Sequence, residues 1–237
     1  MNKRALLVGG LAVGALLLLS RRAVAAKPTR LRVPTKARPY LGHFQKWSEA
    51  TGIPLDVLLA WAMLESGYNP NEYNVERGVM REWACAVAND ARWARNPDYG
   101  KVKTVCANLA SGKWTVEDVI RTDSGKPFRE KLWTFGSSGI MQVARRWNYE
   151  CLDPSRPNTE LFEIDMNLRC GCKEIDNKIR GLYQKGAINS SNPRRLTDNE
   201  WGLVRASYVM GVSGALANPA GAEERRTKFK NALRELR

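Results

Sequence analysis

A single histidine, His43, stands in 237 residues. A histidine-rich metal centre or a Ser-His-Asp triad has little to work with, and His43 reads as a structural residue. Acidic residues are absent from 1–38, which holds Lys3, Arg4, Arg21, Arg22, Lys27, Arg30, Arg32, Lys36 and Arg38. Of the formal charge of +14, that segment carries +9 and residues 222–237 carry +3, which leaves +2 for residues 39–221. A nearly neutral body argues against a nucleic-acid-binding domain. Sustained strand alternation, internal repeats and low-complexity tracts are also missing, so the body reads as mainly α. The five cysteines, Cys85, Cys106, Cys151, Cys170 and Cys172, show neither zinc-ligand spacing nor a C-x-x-C pair. An odd count leaves at least one thiol unpaired within the chain. The plausible bridges join Cys85 to Cys106, and Cys151 to Cys170 or Cys172.

Long apolar runs are confined to one place. Ala5–Leu19 is fifteen residues without a charge, and as a helix it spans roughly 23 Å, short of the ~30 Å hydrocarbon core. The length fits a signal-peptide core, with Ala23-Val24-Ala25 as a passable cleavage site. Arg21 and Arg22 oppose cleavage, and an uncleaved anchor reaching to Ala26 is the favoured reading. More basic charge follows the run than precedes it, which favours a cytoplasmic body and suits a protein delivered with a virus that has an internal membrane. The arm 21–38 carries the charge to meet anionic headgroups. Residues 27–39, with Pro28, Pro34 and Pro39, read as an extended, solvated tether.

What the chain does have is aromatic and apolar content. Eight Trp, seven Tyr and a hydrophobic fraction of 43% rule out a disordered chain, and aromatics can serve a core or stack on sugars or bases. A short helix is expected over Tyr40–Glu49. The next is centred on residues 54–66: Pro54 suits its start, and Leu55, Leu58, Leu59 and Ala62 mark a face for burial. Gly67 and Asn69-Pro70 stop it. Glu65 lies at its end, at the edge of the apolar stripe. A carboxyl held against Trp61 and leucines loses hydration, which raises its pKa toward what a general acid near neutral pH requires. The plainer reading has Glu65 pointing to water. Further helices are expected over Arg81–Arg95, from Thr115, over Glu160–Gln184, from the capping box Thr197-Asp198-Asn199-Glu200, and over Ala222–Arg237. A turn is expected at Asp123–Pro127.

A second stretch, Phe135-Gly136-Ser137-Ser138-Gly139-Ile140-Met141-Gln142-Val143, places two glycines three apart among hydrogen-bonding side chains. Alone it could be a surface turn. In order, Glu65-Ser66-x-x-x-Pro70, Gly136-Ser-x-Gly139-Ile-Met141-Gln142, Asn167-Leu168-x-x-Gly171 and Tyr208-x-x-Gly211 resemble the motifs of the soluble lytic transglycosylase family. The resemblance covers roughly residues 44–70 and 134–215.

The resemblance implies a lysozyme-like (goose-type) catalytic domain over 40–221. It implies cleavage of peptidoglycan between N-acetylmuramic acid and N-acetylglucosamine, with a 1,6-anhydro product and no metal or cofactor. It makes Glu65 the catalytic acid/base with Ser66 beside it, and Ser138, Met141 and Gln142 a lining of the sugar cleft. Tyr208 would pack near Glu65 and hold it. The domain would meet the periplasmic cell wall from a membrane anchor, in a cell envelope or a virion. Val209 departs from the family's Asn, and residues 71–135 are an insertion with Trp83, Trp93, Trp114 and Trp133. That insertion could be a lid, extra sugar subsites, a surface for a protein partner or an external helical pack. A hydrolytic muramidase with a second acid drawn from Glu72, Glu76 or Asp90 is the nearest alternative. A non-catalytic module that holds glycan or a partner is the alternative from another class.

Overall fold

The computed structural model describes residues 31–123, 136–144, 148, 151–153, 155–156 and 158–237. The anchor or signal segment, Trp133 and all but the first residue of the Asp123–Pro127 turn lie outside them. Among the described residues no helix is long and apolar enough to cross a membrane.

Leu31–Arg237 forms one compact unit, and it is mainly α. Nine α-helices occur among the described residues: α1 (Leu41–Thr51), α2 (Leu55–Ser66), α3 (Met80–Ala88), α4 (Tyr99–Ala110), α5 (Val116–Asp123), α6 (Ile164–Gln184), α7 (Asp198–Met210), α8 (Val212–Ala217) and α9 (Pro219–Leu236). A small antiparallel sheet has the order β1 (Tyr73–Val75), β2 (Gly136–Ser138), β3 (Val143–Ala144). Strands of two or three residues carry no readable alternation, so the sheet is invisible in the sequence.

Helix α2 is the central element. Its amphipathic stripe is the expected feature, but Val57, Leu58, Leu59, Ala60, Trp61 and Ala62 are all buried in succession. A helix apolar all round is one that is packed all round, and α1 and α9 both lie against it. Pro54 precedes the first turn, and Gly67 closes the helix in the left-handed conformation at φ 58°, which glycine adopts without the Cβ clash. Helix α7 begins at the expected capping box, with Thr197 and Glu200 each bonding the other's backbone N–H. It packs along α9, whose end is secured by Arg237 to Asp56 and Asp198, both at 2.7 Å.

Helix α6 is tied to α1 by one carboxylate. Asp165 receives Lys46 Nζ at 2.7 Å and Trp47 Nε1 at 3.2 Å, and pairs with His43 Nδ1 at 2.8 Å. Lys46 and then His43 hold its pKa down at about 2. His43 is thus part of a pin between helices.

The basic tether ends earlier than its composition implies. Residues 35–40 form a 3₁₀ turn with Ala37 buried, Leu31 and Val33 pack on the main core, and Arg32 N–H donates to Leu236 O at 2.7 Å. Prolines here set a docked turn.

The insertion is joined to the body on two sides. Met80, Ala84, Val105, Leu109 and Val119 form a small core of their own, whereas Val87, Ala88, Trp93 and Val102 belong to the main one. Cys85–Cys106 links α3 to α4, and Cys151–Cys170 anchors the chain before α6. Cys172 stays a buried thiol. Replacing Cys85 and Cys106 by alanine is expected to lower the unfolding free energy by about 3 kcal/mol, since a bridge across a loop of this size restricts the unfolded chain by that amount. Urea unfolding of the double variant checks it, and an unchanged midpoint would show that the small core holds α3 and α4 unaided.

Candidate active site

The end of α2 and the β2–β3 turn meet. Ser66 Oγ donates to Ile140 O at 2.9 Å, across 74 residues of sequence, and to Ala62 O at 3.2 Å. Opposite, Asn167 of α6 braces the turn from behind. Its Oδ1 accepts from Met141 N–H at 2.7 Å, and its Nδ2 donates to Ser138 O at 2.7 Å and Leu161 O at 2.8 Å.

The glycines are dictated by this closeness. A Cβ on Gly136 would lie 2.0 Å from Asn74 O. One on Gly139 would lie 2.3 Å from Asn167 Nδ2, at a φ of 77°. Gly171 lets α6 approach the Met141 side chain, where a Cβ would sit at 2.8 Å. Tyr68 and Gln142, the described non-glycine residues with positive φ, flank the same junction at 66° and 50°. The Gln142 conformation is held by its own side chain: Nε2 donates to Gly139 O at 2.8 Å, and Oε1 accepts from Asn74 Nδ2 at 2.7 Å. Such backbone strain persists only where surrounding contacts over-determine it.

In front of this junction lies a cleft of about 330 Å³, lined by Glu65, Glu76, Val79, Trp83, Ser137, Gln142, Ala144, Asn148, Glu174, Tyr208 and Val209. Glu65 is mostly buried, with 14% of its side chain exposed, so it does not simply point to water. Burial raises its pKa above the ordinary carboxylate value; Arg205 opposes this, and Glu76 adds to it. Arg205 Nη2 lies 3.0 Å from Glu65 Oε1, but the contact is not aligned as a hydrogen bond, and it joins the two as charges. Tyr208 is pushed well above its usual value by burial, then by Glu65 and Glu174, and remains a proton donor at any working pH.

Each expected site residue now has a place. Glu65, Gln142 and Tyr208 line the cleft. Ser66, Ser138 and Met141 stand in the wall behind it, with Ser138 and Met141 fully buried. The Tyr208 hydroxyl donates to Met141 O at 3.0 Å, so its hydrogen bond braces the glycine turn; Glu65 is gripped by Arg205 instead. Among the candidate second acids, Glu76 faces the cleft. Glu72 accepts from Asn69 at the surface and Asp90 pairs with Arg92. The insertion supplies one wall of the cleft through Glu76, Val79 and Trp83, whereas Trp93 is core.

Arg205 and Glu174 escaped the sequence reading. Arg205 had a signal, a charge set in the apolar run Leu203-Val204-Arg205-Ala206 three residues before Tyr208. Glu174 lies three residues after Gly171, hence on the helix face that meets the turn. No protein-family model, no curated protein and no solved structure matches the chain.

Proposed function

We propose that the chain is a peptidoglycan lytic transglycosylase with a lysozyme-like catalytic domain, tethered to a membrane by residues 5–19 and their basic arm. The observation that carries the reading is Glu65, mostly buried at the end of α2 with Arg205 beside it, in a cleft whose facing wall is the Gly136–Gln142 turn. Protonated Glu65 would donate to the glycosidic oxygen as the C1–O bond breaks, while the substrate's acetamido group stabilises the cation-like carbon. The ionised carboxylate would then take the proton of the muramic acid C6 hydroxyl as that oxygen bonds to C1. The cycle returns the proton to Glu65 and consumes no water.

A second reading, hydrolysis, gains support from Glu76. It shares the cleft and has no ion-pair partner among the described residues, so it could direct a water as the second carboxylate does in glycoside hydrolysis. Mass spectrometry of fragments released from purified sacculi separates the two. Anhydro ends, about 18 Da (one water) lighter than hydrolysed ends, are expected. Reducing muramic acid ends would overturn the transglycosylase reading in favour of hydrolysis, and no released fragment at all would overturn both.

A further inference from the structure

The geometry points to Arg205 as a positioning residue for Glu65: from behind the cleft its guanidinium aims the carboxyl and takes up the negative charge left when the proton departs. The inference rests on Glu65 being the acid/base of the proposed reaction.

Arg205 sits on α7 with its side chain only 10% exposed, and it is not part of the cleft surface. Its Cζ lies 5.4 Å from the centre of the Trp61 ring, one turn before Glu65 on α2. Trp61 is itself wedged by Tyr208 at 5.1 Å and Phe229 of α9 at 5.5 Å, ring centre to ring centre. The guanidinium therefore rests on one ring that is itself held in place, and Nη2 is delivered to Glu65. Nε and Nη1 are buried without a hydrogen-bond partner among the described residues. Of its three nitrogens, Nη2 is the one set against a carboxylate.

The groups facing Glu65 make the need for that contact plain. Glu76, on the segment after β1, and Glu174, on α6, line the same cleft and are acidic; Tyr208 of α7 adds a neutral phenol; β2 and β3 contribute Ser137, Gln142 and Ala144. Glu174 is paired with Lys178 at 2.5 Å. Burial among carboxylates alone would make the ionised state of Glu65 so unfavourable that it would not release its proton. Arg205 alone, in water, would keep it ionised. Opposed, they bring the carboxyl toward the range where it can both give and take a proton.

Two variants and two readouts test this. In Arg205→Met, the Glu65 carboxyl, followed by carbon NMR in protein labelled at the glutamate δ-carbon, is expected to titrate at least about one pH unit higher. The basic limb of the rate profile on sacculi should move the same way, because donation requires the protonated form. Arg205→Lys keeps a charge but loses the planar guanidinium that rests on Trp61 and fixes where that charge sits. It should titrate close to the parent while turnover falls about tenfold or more. A folded Arg205→Met with an unmoved titration, or an Arg205→Lys with unchanged turnover, would overturn the assignment. The lysine variant decides if the methionine variant does not fold. A chain that cleaves no glycan would defeat the proposed reaction, whereas the NMR titration would still report whether Arg205 controls Glu65.

Discussion

Glu65→Gln is expected to abolish release of soluble fragments from sacculi while the protein stays folded. The amide keeps the shape of the side chain and an oxygen toward Arg205, so the packing at the end of α2 is preserved. It cannot donate and then recover a proton. One positioned acid or base contributes about 10²–10⁴-fold, and in this cycle both transfers run through the same group, so the loss should reach at least the upper part of that range. Stability should change little where Glu65 is protonated, and should fall only at higher pH, where the parent's ionised carboxylate pairs with the guanidinium. Chromatography of the digest measures the first effect and circular dichroism the second. A Gln variant that still turns over at near the parent rate would remove Glu65 from the role assigned to it.

Asn167→Ala is expected to be the most damaging change for the architecture of the cleft. Its side chain satisfies one buried N–H and two buried carbonyls on β2, the β2–β3 turn and the 3₁₀ turn Asn158–Phe162. Each orphaned group costs about 1–3 kcal/mol, and the vacated volume adds a cavity cost. A total on the order of 4 kcal/mol corresponds to a fall in Tm on the order of 10 °C for a domain of this size. Asn167→Asp should also be destabilised, since it keeps the acceptor for Met141 but turns an oxygen toward the two carbonyls. Scanning calorimetry on both variants tests the account. If either melts with the parent, the turn is held by the sheet and by Ser66 rather than by Asn167.

The legible parts of this chain are those governed by neighbours a few residues apart. The span of α2 follows from Pro54, the apolar run and Gly67. The start of α7 follows from a capping box of four residues, and the ends of α6 and α9 fall within a few residues of where their patterns place them. Position along the chain misled where a short element is held only by distant partners. The prolines of 34–39 suggest a free tether, yet Ala37 and Val33 find the core and Arg32 finds the last turn of α9. The β-strands exist because Gly136 lets Asn74 approach, which no window of residues 136–144 discloses. Tyr208 lies in the cleft with Glu65, but its hydroxyl bonds Met141 O, and the charge set against the carboxylate is that of Arg205, one turn earlier on α7.

The amino-acid order by itself determined a mainly helical body, a charge confined to the ends, and a glutamate poised at a helix end before a glycine turn, and it offered Cys85–Cys106 as a plausible pair. Folding in three dimensions decided that this glutamate is mostly buried, that Glu76 and not Glu72 shares its cleft, that the insertion forms a wall, and that an arginine stands against it from behind. The division has a simple cause. Helix periods and caps act over one or two turns of chain, whereas desolvation and charge pairing depend on groups brought together across 70 to 140 residues, and those are fixed only when the core closes.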